Sequence, residues 1–178
     1  MVTQFDTQAV KLHSYKGSKP LNGTKKFESG NDIIDSFVRK NNLKSQGKAP
    51  GTTVFVLVDN SNNNSLVGFC TLACHSLSKD MFSTSKENIG KTSSIPVVKL
   101  GMLGVDKQYQ KRGFGEDLVL EALKRTKIVC EQAGCSGLFL IADPGAITFY
   151  KKLGFSELEL EGNTPQAIPM FLHVDCIP

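Results

Sequence analysis

The chain has 178 residues, 40% of them hydrophobic and 21% charged, with 21 Lys and Arg against 17 Asp and Glu. That composition suits one globular domain over 1–178 that buries a core without metal or disulfide staples. It offers no apolar run near the roughly 20 residues a membrane span requires. The net charge of +4 permits a polyanionic partner without requiring one.

Met1–Lys26 is polar, and a first strand or a loose arm is expected there. Ser29 and Asp32 are spaced as a capping box, and Ile33, Ile34, Phe37, Val38 and then Leu43 follow at helical spacing. The Gly47–Gly51 stretch ends that helix. Thr53–Val58 reads as a buried strand and Asp59–Ser65 as a turn. Leu66–Cys74 reads as a second strand, so the two form an antiparallel hairpin.

Ser76–Pro96 has no clear period and is expected to be a functional loop or to hold a short helix. Val97–Val105 is the third strand, apolar on both faces as in the centre of a sheet. Gly101 and Gly104 in it suggest a bulge or a close ligand approach.

Next comes Gln110-Lys111-Arg112-Gly113-Phe114-Gly115, ahead of a helix over Glu116–Ala133 that stops at Gly134. A glycine-bearing strand-to-helix turn brings backbone N–H groups to the positive end of a helix, which makes an anion site, most often for phosphate. Glu116 and Asp117 are placed towards solvent. Leu138–Ala142 is a short strand, and Asp143-Pro144 is an N-cap signal for a helix over Ala146–Leu153 that stops at Gly154. Phe155 and Met170–Val174 start the last strands. The five cysteines (Cys70, Cys74, Cys130, Cys135 and Cys176) form no Cys/His ligand cluster, so no metal site is expected. They read as buried free thiols of a reducing, cytoplasmic compartment. Met1–Pro20 lacks the apolar core of a signal peptide.

Two stretches carry a family resemblance. Leu103-Gly104-Val105-Asp106 through Gly115 resembles motif A of the GNAT superfamily of N-acetyltransferases, Q/R-x-x-G-x-G/A after a strand. Ala146-Ile147-Thr148-Phe149-Tyr150-Lys151-Lys152-Leu153-Gly154-Phe155 resembles their motif B. Phe27-Glu28-Ser29-Gly30-Asn31, the Val67-Gly68-Phe69 strand and Pro96-Val97-Val98-Lys99-Leu100-Gly101 resemble a narrower group, the acetyltransferase toxins of type II toxin–antitoxin modules, and this similarity covers most of 27–155. Lys111 stands where that group usually has Gly, and Met102 stands where a basic residue is common.

The resemblance implies an α+β sandwich with a mixed, mostly antiparallel central sheet flanked by helices. It implies acetyl-CoA as co-substrate, its pyrophosphate on Gln110, Lys111, Arg112, Gly113, Phe114 and Gly115, and its pantetheine arm on Leu103, Gly104 and Val105. Asp143, Ala146 and Phe149 are placed with the same co-substrate. Tyr150 matches the motif B tyrosine that acts as general acid towards the leaving thiolate. A phenol with an ordinary pKa near 10 is protonated at neutral pH and can donate.

The acceptor implied is the amino group of aminoacyl-tRNA. A small amine, an antibiotic or a protein N-terminus is the alternative, and a catalytically silent acetyl-CoA-binding protein is a third reading. A small DNA-binding antitoxin and a homodimer are the implied partners. Lys79, Lys86, Lys91, Lys99, Lys107, Lys111, Lys151 and Lys152 form the candidate tRNA surface, competing with a plain solubilising role. No general base stands out. His75, at the end of a strand, is the nearest candidate, against a plain surface role.

Overall fold

The computed structural model describes residues 9–82, 92–158 and 167–177. The strands are β1 (Val10–Tyr15), β2 (Thr53–Asp59), β3 (Ser65–Ser78), β4 (Ser94–Val105), β5 (Gly137–Ala142), β6 (Ser156–Glu157) and β7 (Ile168–His173), with apolar runs in β2–β5 and β7. The helices are α1 (Asp32–Arg39), α2 (Asn42–Lys48), α3 (Phe114–Ala133) and α4 (Ile147–Lys152). The strands order as β1-β2-β3-β4-β5-β7-β6. β1/β2, β2/β3, β5/β7 and β6/β7 pair antiparallel, and β4/β5 pair parallel. This is the mixed, mostly antiparallel sheet with helices that the motif order implied.

The chain divides into two compact units, Met1–Leu72 with Met102–Leu120 and Ala73–Gly101 with Glu121–Pro178. The first unit's core gathers Tyr15, Phe27, Phe37, Val38, Leu43, Val54, Val56 and Phe69. Phe37 stacks on Phe69 at 5.7 Å between centroids, and Phe27 meets the same ring edge-on at 6.0 Å. Each of these phenylalanines removes a full side chain from water, about 1.5–3 kcal/mol apiece. The second unit's core gathers Leu77, Phe82, Ile95, Val97, Phe139, Leu158 and Phe171. With no Trp in the chain, phenylalanine anchors both.

Several expectations are corrected. The helix start is capped by Asn31, whose side chain accepts from the N–H groups of Ile33 and Ile34. Ser29 instead donates through both its N–H and its hydroxyl to Asp35. The single helix through Leu43 is two helices, because Asn41 takes a left-handed φ of 61° that asparagine tolerates better than most residues. β3 runs on to Ser78 and is followed by a 3-10 turn at Lys79–Phe82. Ser76–Pro96 is therefore ordered at both ends, and its middle, 83–91, lies outside the described residues.

The cysteines are not all buried thiols. Cys130 and Cys135 form a disulfide, and of the other three only Cys70 is buried. The reason is local. α3 ends at Ala133, Gly134 takes a φ of 71°, and its N–H donates to the Cys130 carbonyl at 3.0 Å. The chain thereby turns back and leaves the two cysteine Cα atoms 4.2 Å apart.

Candidate acetyl-CoA loop and acceptor groove

In the first unit, β4 leads directly into the glycine-bearing turn. Asp106, buried at the strand end, caps a 3-10 turn at Lys107–Tyr109 by accepting from the Gln108 N–H, and its other oxygen accepts from the Glu28 N–H. Tyr109 is buried and donates its hydroxyl to Asp59 Oδ2 at 3.0 Å. Asn62 Nδ2 donates to the same phenol oxygen at 3.2 Å. Burial pushes the Tyr109 phenol up; the Asn62 bond opposes this and Asp59 adds to it. At Asp59, burial alone would raise the carboxyl. Hydrogen bonds from the Ser61 and Tyr109 hydroxyls and from the Ser61 and Asn62 N–H groups outweigh it and hold the carboxyl below the usual range.

The loop beyond Tyr109 is fixed at both ends. Gln110 Nε2 donates to the carbonyls of Ser29 at 2.8 Å and Val105 at 2.9 Å. The Gln110 amide thus serves the loop's own architecture. Lys111 then adopts φ 61° and Gly113 φ 88°, with Arg112 at negative φ between them. Alternation of φ sign turns successive N–H groups towards a common side, an anion-binding concavity. It feeds into the N-terminus of α3, a 20-residue helix. A Cβ on Gly113 would meet nothing within 4 Å, so the backbone there is open to close approach. Arg112 is exposed, with its guanidinium carbon 5.7 Å from the Tyr109 ring centroid. Glu116 and Asp117 are both exposed. These features fit a pyrophosphate: N–H donors, a helix start, a nearby guanidinium and open space at the glycine.

Lys111 explains itself in this geometry. A left-handed φ is what glycine adopts without cost, and a lysine at φ 61° is strained into it. Gly104 on β4 is tightly packed. A Cβ there would stand 2.6 Å from Ile34 Cγ2 and 3.3 Å from Phe69 Cε1. Gly104 therefore lets α1 close onto β4 and is a packing glycine. The β4/β5 ladder spans Val98–Leu100 and β4 outruns it. Leu103 is half-buried, while Val105 is buried.

The first unit also carries an open groove of about 410 Å³, lined by apolar Ile33, Phe37 and Met102 and by polar Asp32, Ser36 and Lys40. Ile33 is 69% exposed. The sequence shows Ile33 only as one more apolar helical residue. Its place one position ahead of the buried row was the available signal. Asp59 and Tyr109 were also missed, since a turn aspartate and a lone tyrosine reveal nothing of a bond across 50 positions.

In the second unit, Tyr150 sits on α4 with its ring edge-on to Phe149 at 5.0 Å and to Phe155 at 5.6 Å. It is 7% exposed. Its carbonyl accepts from the N–H groups of Leu153 and Phe155, which closes the helix. Ala146 and Phe149 are half-buried and Asp143 is exposed. His75 is exposed on β3 and stacks on Phe139 at 5.9 Å. Of the lysines taken as a tRNA surface, Lys107 is paired with Glu28 and Lys151 with Glu157, each at 2.7 Å. Lys86 and Lys91 lie outside the described residues.

Residues 50–157 match the acetyltransferase (GNAT) domain family, and the chain belongs to it. A solved bacterial toxin is 38% identical, with 94% of this chain and 92% of that chain covered and a TM-score of 0.86. AtaT complexed with acetyl-methionyl-tRNAfMet is 25% identical, over 94% of this chain and 96% of that one, with a TM-score of 0.81. AtaTR bound with AcCoA is 25% identical, over 96% of each chain, with a TM-score of 0.76. The probable toxin TacT of Sinorhizobium fredii (strain NBRC 101917 / NGR234) is 29% identical over 111 residues. Those residues are 60% of this chain and 59% of TacT. The aligned stretch thus spans about three fifths of that curated relative. Among the described residues, no helix is long and apolar enough to cross a membrane.

Proposed function

We propose that this chain transfers acetyl from acetyl-CoA to the amino group of an aminoacyl-tRNA, and so blocks translation as a toxin. The observation that carries the reading is the loop with left-handed Lys111 and Gly113 at the start of α3. It offers backbone donors to a pyrophosphate in a chain of the acetyltransferase family. Support for the acceptor comes from AtaT, complexed with acetyl-methionyl-tRNAfMet, and for the co-substrate from AtaTR, bound with AcCoA.

In this reading Lys111, Arg112 and the N–H groups through Gly115 hold the pyrophosphate. The part of β4 that outruns the β5 ladder, Leu103–Val105, offers backbone groups to the pantetheine amides. The groove beside Met102 receives the aminoacyl group. Its neutral amine attacks the thioester carbonyl, the carbon–sulfur bond breaks, and the departing thiolate takes its proton from the Tyr150 hydroxyl. The proton shed by the attacking nitrogen passes to water, from which the Tyr150 phenolate is re-protonated. Asp143, Ala146 and Phe149 line the co-substrate's path in the second unit. We take the two units to work as one domain in the cytoplasm, with a second copy and a small DNA-binding antitoxin as partners that co-purification would reveal.

Expression in a bacterial host tests the reading. Growth arrest is expected, relieved by Tyr150→Phe at equal protein level. Normal growth with acetylation of free amines would favour a small-molecule acceptor.

A further inference from the structure

The basic charge of this chain is concentrated in a few segments. Residues 16–26 and 39–48 hold eight of the 21 Lys and Arg and none of the 17 Asp and Glu. The remaining 157 positions carry 13 basic against 17 acidic groups, so away from these segments the chain is net acidic. All eight basic residues are exposed. Arg39 is committed internally, with Nε and Nη2 donating to the Phe27 carbonyl at 2.9 and 2.7 Å. Among the described residues, none of the seven lysines (Lys16, Lys19, Lys25, Lys26, Lys40, Lys44, Lys48) forms an ion pair.

The segments are packed together. A Cβ on Gly17 would stand 2.5 Å from the Lys44 carbonyl and 2.8 Å from Lys48 Cγ, and one on Gly47 would stand 2.8 Å from the Tyr15 carbonyl. Pro20, Leu21 and Thr24 line one small cavity with Asn41, Leu43 and Lys44. The 16–26 segment therefore lies against α2, and its lysines share a surface with Lys44 and Lys48 of α2 and with Lys40 at the end of α1. Lys40 belongs both to this surface and to the groove beside Met102.

We propose that this lysine face, formed by the 16–26 segment, Lys40 and α2, is the docking surface for the tRNA phosphate backbone, with Lys40 at the junction where the RNA's aminoacyl end turns into the groove. The proposal rests on the aminoacyl-tRNA reading above. It moves the RNA surface away from the lysines chosen by sequence, two of which are neutralised by Glu28 and Glu157. Compact ammonium charges on flexible stems suit a phosphate backbone read without sequence preference. A polyanion fits a face whose segments, 16–26 and 39–48, hold no carboxylate, with Asp32 the acidic neighbour at the groove beside Lys40.

The test compares wild type with a Lys19→Gln/Lys25→Gln/Lys26→Gln/Lys44→Gln/Lys48→Gln variant, measuring Kd for bulk tRNA across a salt series and KM for charged tRNA. Each lost phosphate contact removes about 0.7–0.9 from the log–log salt slope. For five lost contacts a slope reduced by about 3.5–4.5 is expected, with Kd and KM raised about tenfold or more at moderate salt. The acetyl-CoA Kd and the thermal unfolding midpoint should stay at wild-type values, which shows that the variant is folded.

An unchanged slope in this variant, with the slope lost in Lys79→Gln/Lys152→Gln, would put the RNA on another surface and overturn the proposal. So would loss of binding to polyglutamate with tRNA binding intact, which would make the face a site for an acidic protein segment. If wild type acetylates free amines but neither binds nor acetylates tRNA, the aminoacyl-tRNA reading itself fails. If wild type acetylates charged tRNA and the variant equals it, only the surface assignment fails.

Discussion

Tyr109 donates its hydroxyl to Oδ2 of Asp59 at 3.0 Å, which ties the residue that precedes the candidate pyrophosphate loop to the β2–β3 turn. Both groups are buried, and Asn62 completes the cluster through the same phenol oxygen. Tyr109→Phe leaves the Asp59 carboxylate and the Asn62 amide short of a partner. A loss of about 1–3 kcal/mol of stability is expected by urea unfolding, along with weaker acetyl-CoA binding. A variant with wild-type stability and affinity would show that the tether is idle.

The same pair sets a dependence on pH. The Asp59 carboxyl is held below its ordinary range in the folded chain, so its contribution is present above the unfolded pKa and is lost as pH falls through the folded value. The Tyr109 phenol is held above its ordinary range, so its contribution is complete below the unfolded pKa and is lost as pH rises through the folded value. Unfolding free energy should therefore fall at both extremes. In Tyr109→Phe the alkaline fall should be shallower, as a pH series of urea midpoints would show.

At Lys111 the φ of 61° decides the outcome of substitution. Lys111→Gly relieves left-handed strain of about 1–2 kcal/mol and should keep or raise the unfolding midpoint. Lys111→Val places a β-branched residue in that conformation and should lower both stability and acetyl-CoA affinity. Equal behaviour of the two variants would mean that the loop relaxes to another backbone path.

Gln110→Ala removes the donor to the Ser29 and Val105 carbonyls. Because the side chain is exposed, a loss near the lower end of about 0.5–1.5 kcal/mol per bond is expected. It should register mainly as faster acetyl-CoA dissociation in stopped-flow displacement. An unaltered dissociation rate would show that the loop holds its shape without these bonds.

Thiol reactivity checks the cysteine arrangement. With Cys130 and Cys135 bonded and Cys70 buried, dithionitrobenzoate should titrate two thiols, Cys74 and Cys176, in the folded protein. Three should titrate after unfolding without reductant, and five after reduction. Five thiols in the unfolded, unreduced chain would contradict the disulfide.

The sequence made legible whatever depends on local pattern. The β2–β3 hairpin follows from two apolar runs around Asp59–Ser65, and α3 follows from the row Phe114, Leu118 and Ala122, all buried. The two motifs placed the loop and Tyr150 on the elements where they are found. What stayed hidden depends on contacts distant in sequence or on backbone angles. Nothing in Ser29 announces that it serves Asp35, leaving the cap to Asn31. Nor does anything in Gly104 announce that Ile34 packs against it. The lysine face arises from two segments that only the packing of Gly17 and Gly47 brings together, so counting lysines along the chain selected others.

The central claim is acetyl transfer to a charged tRNA. Labelled acetyl-CoA is incubated with purified protein and total charged tRNA, and in parallel with free amino acids and polyamines. The account predicts label on the aminoacyl group, released with the amino acid on mild alkaline hydrolysis. In Tyr150→Phe the rate should fall about a hundredfold or more, as expected for loss of a general acid, at unchanged acetyl-CoA affinity. Label confined to free amines, or full turnover by Tyr150→Phe, would contradict it.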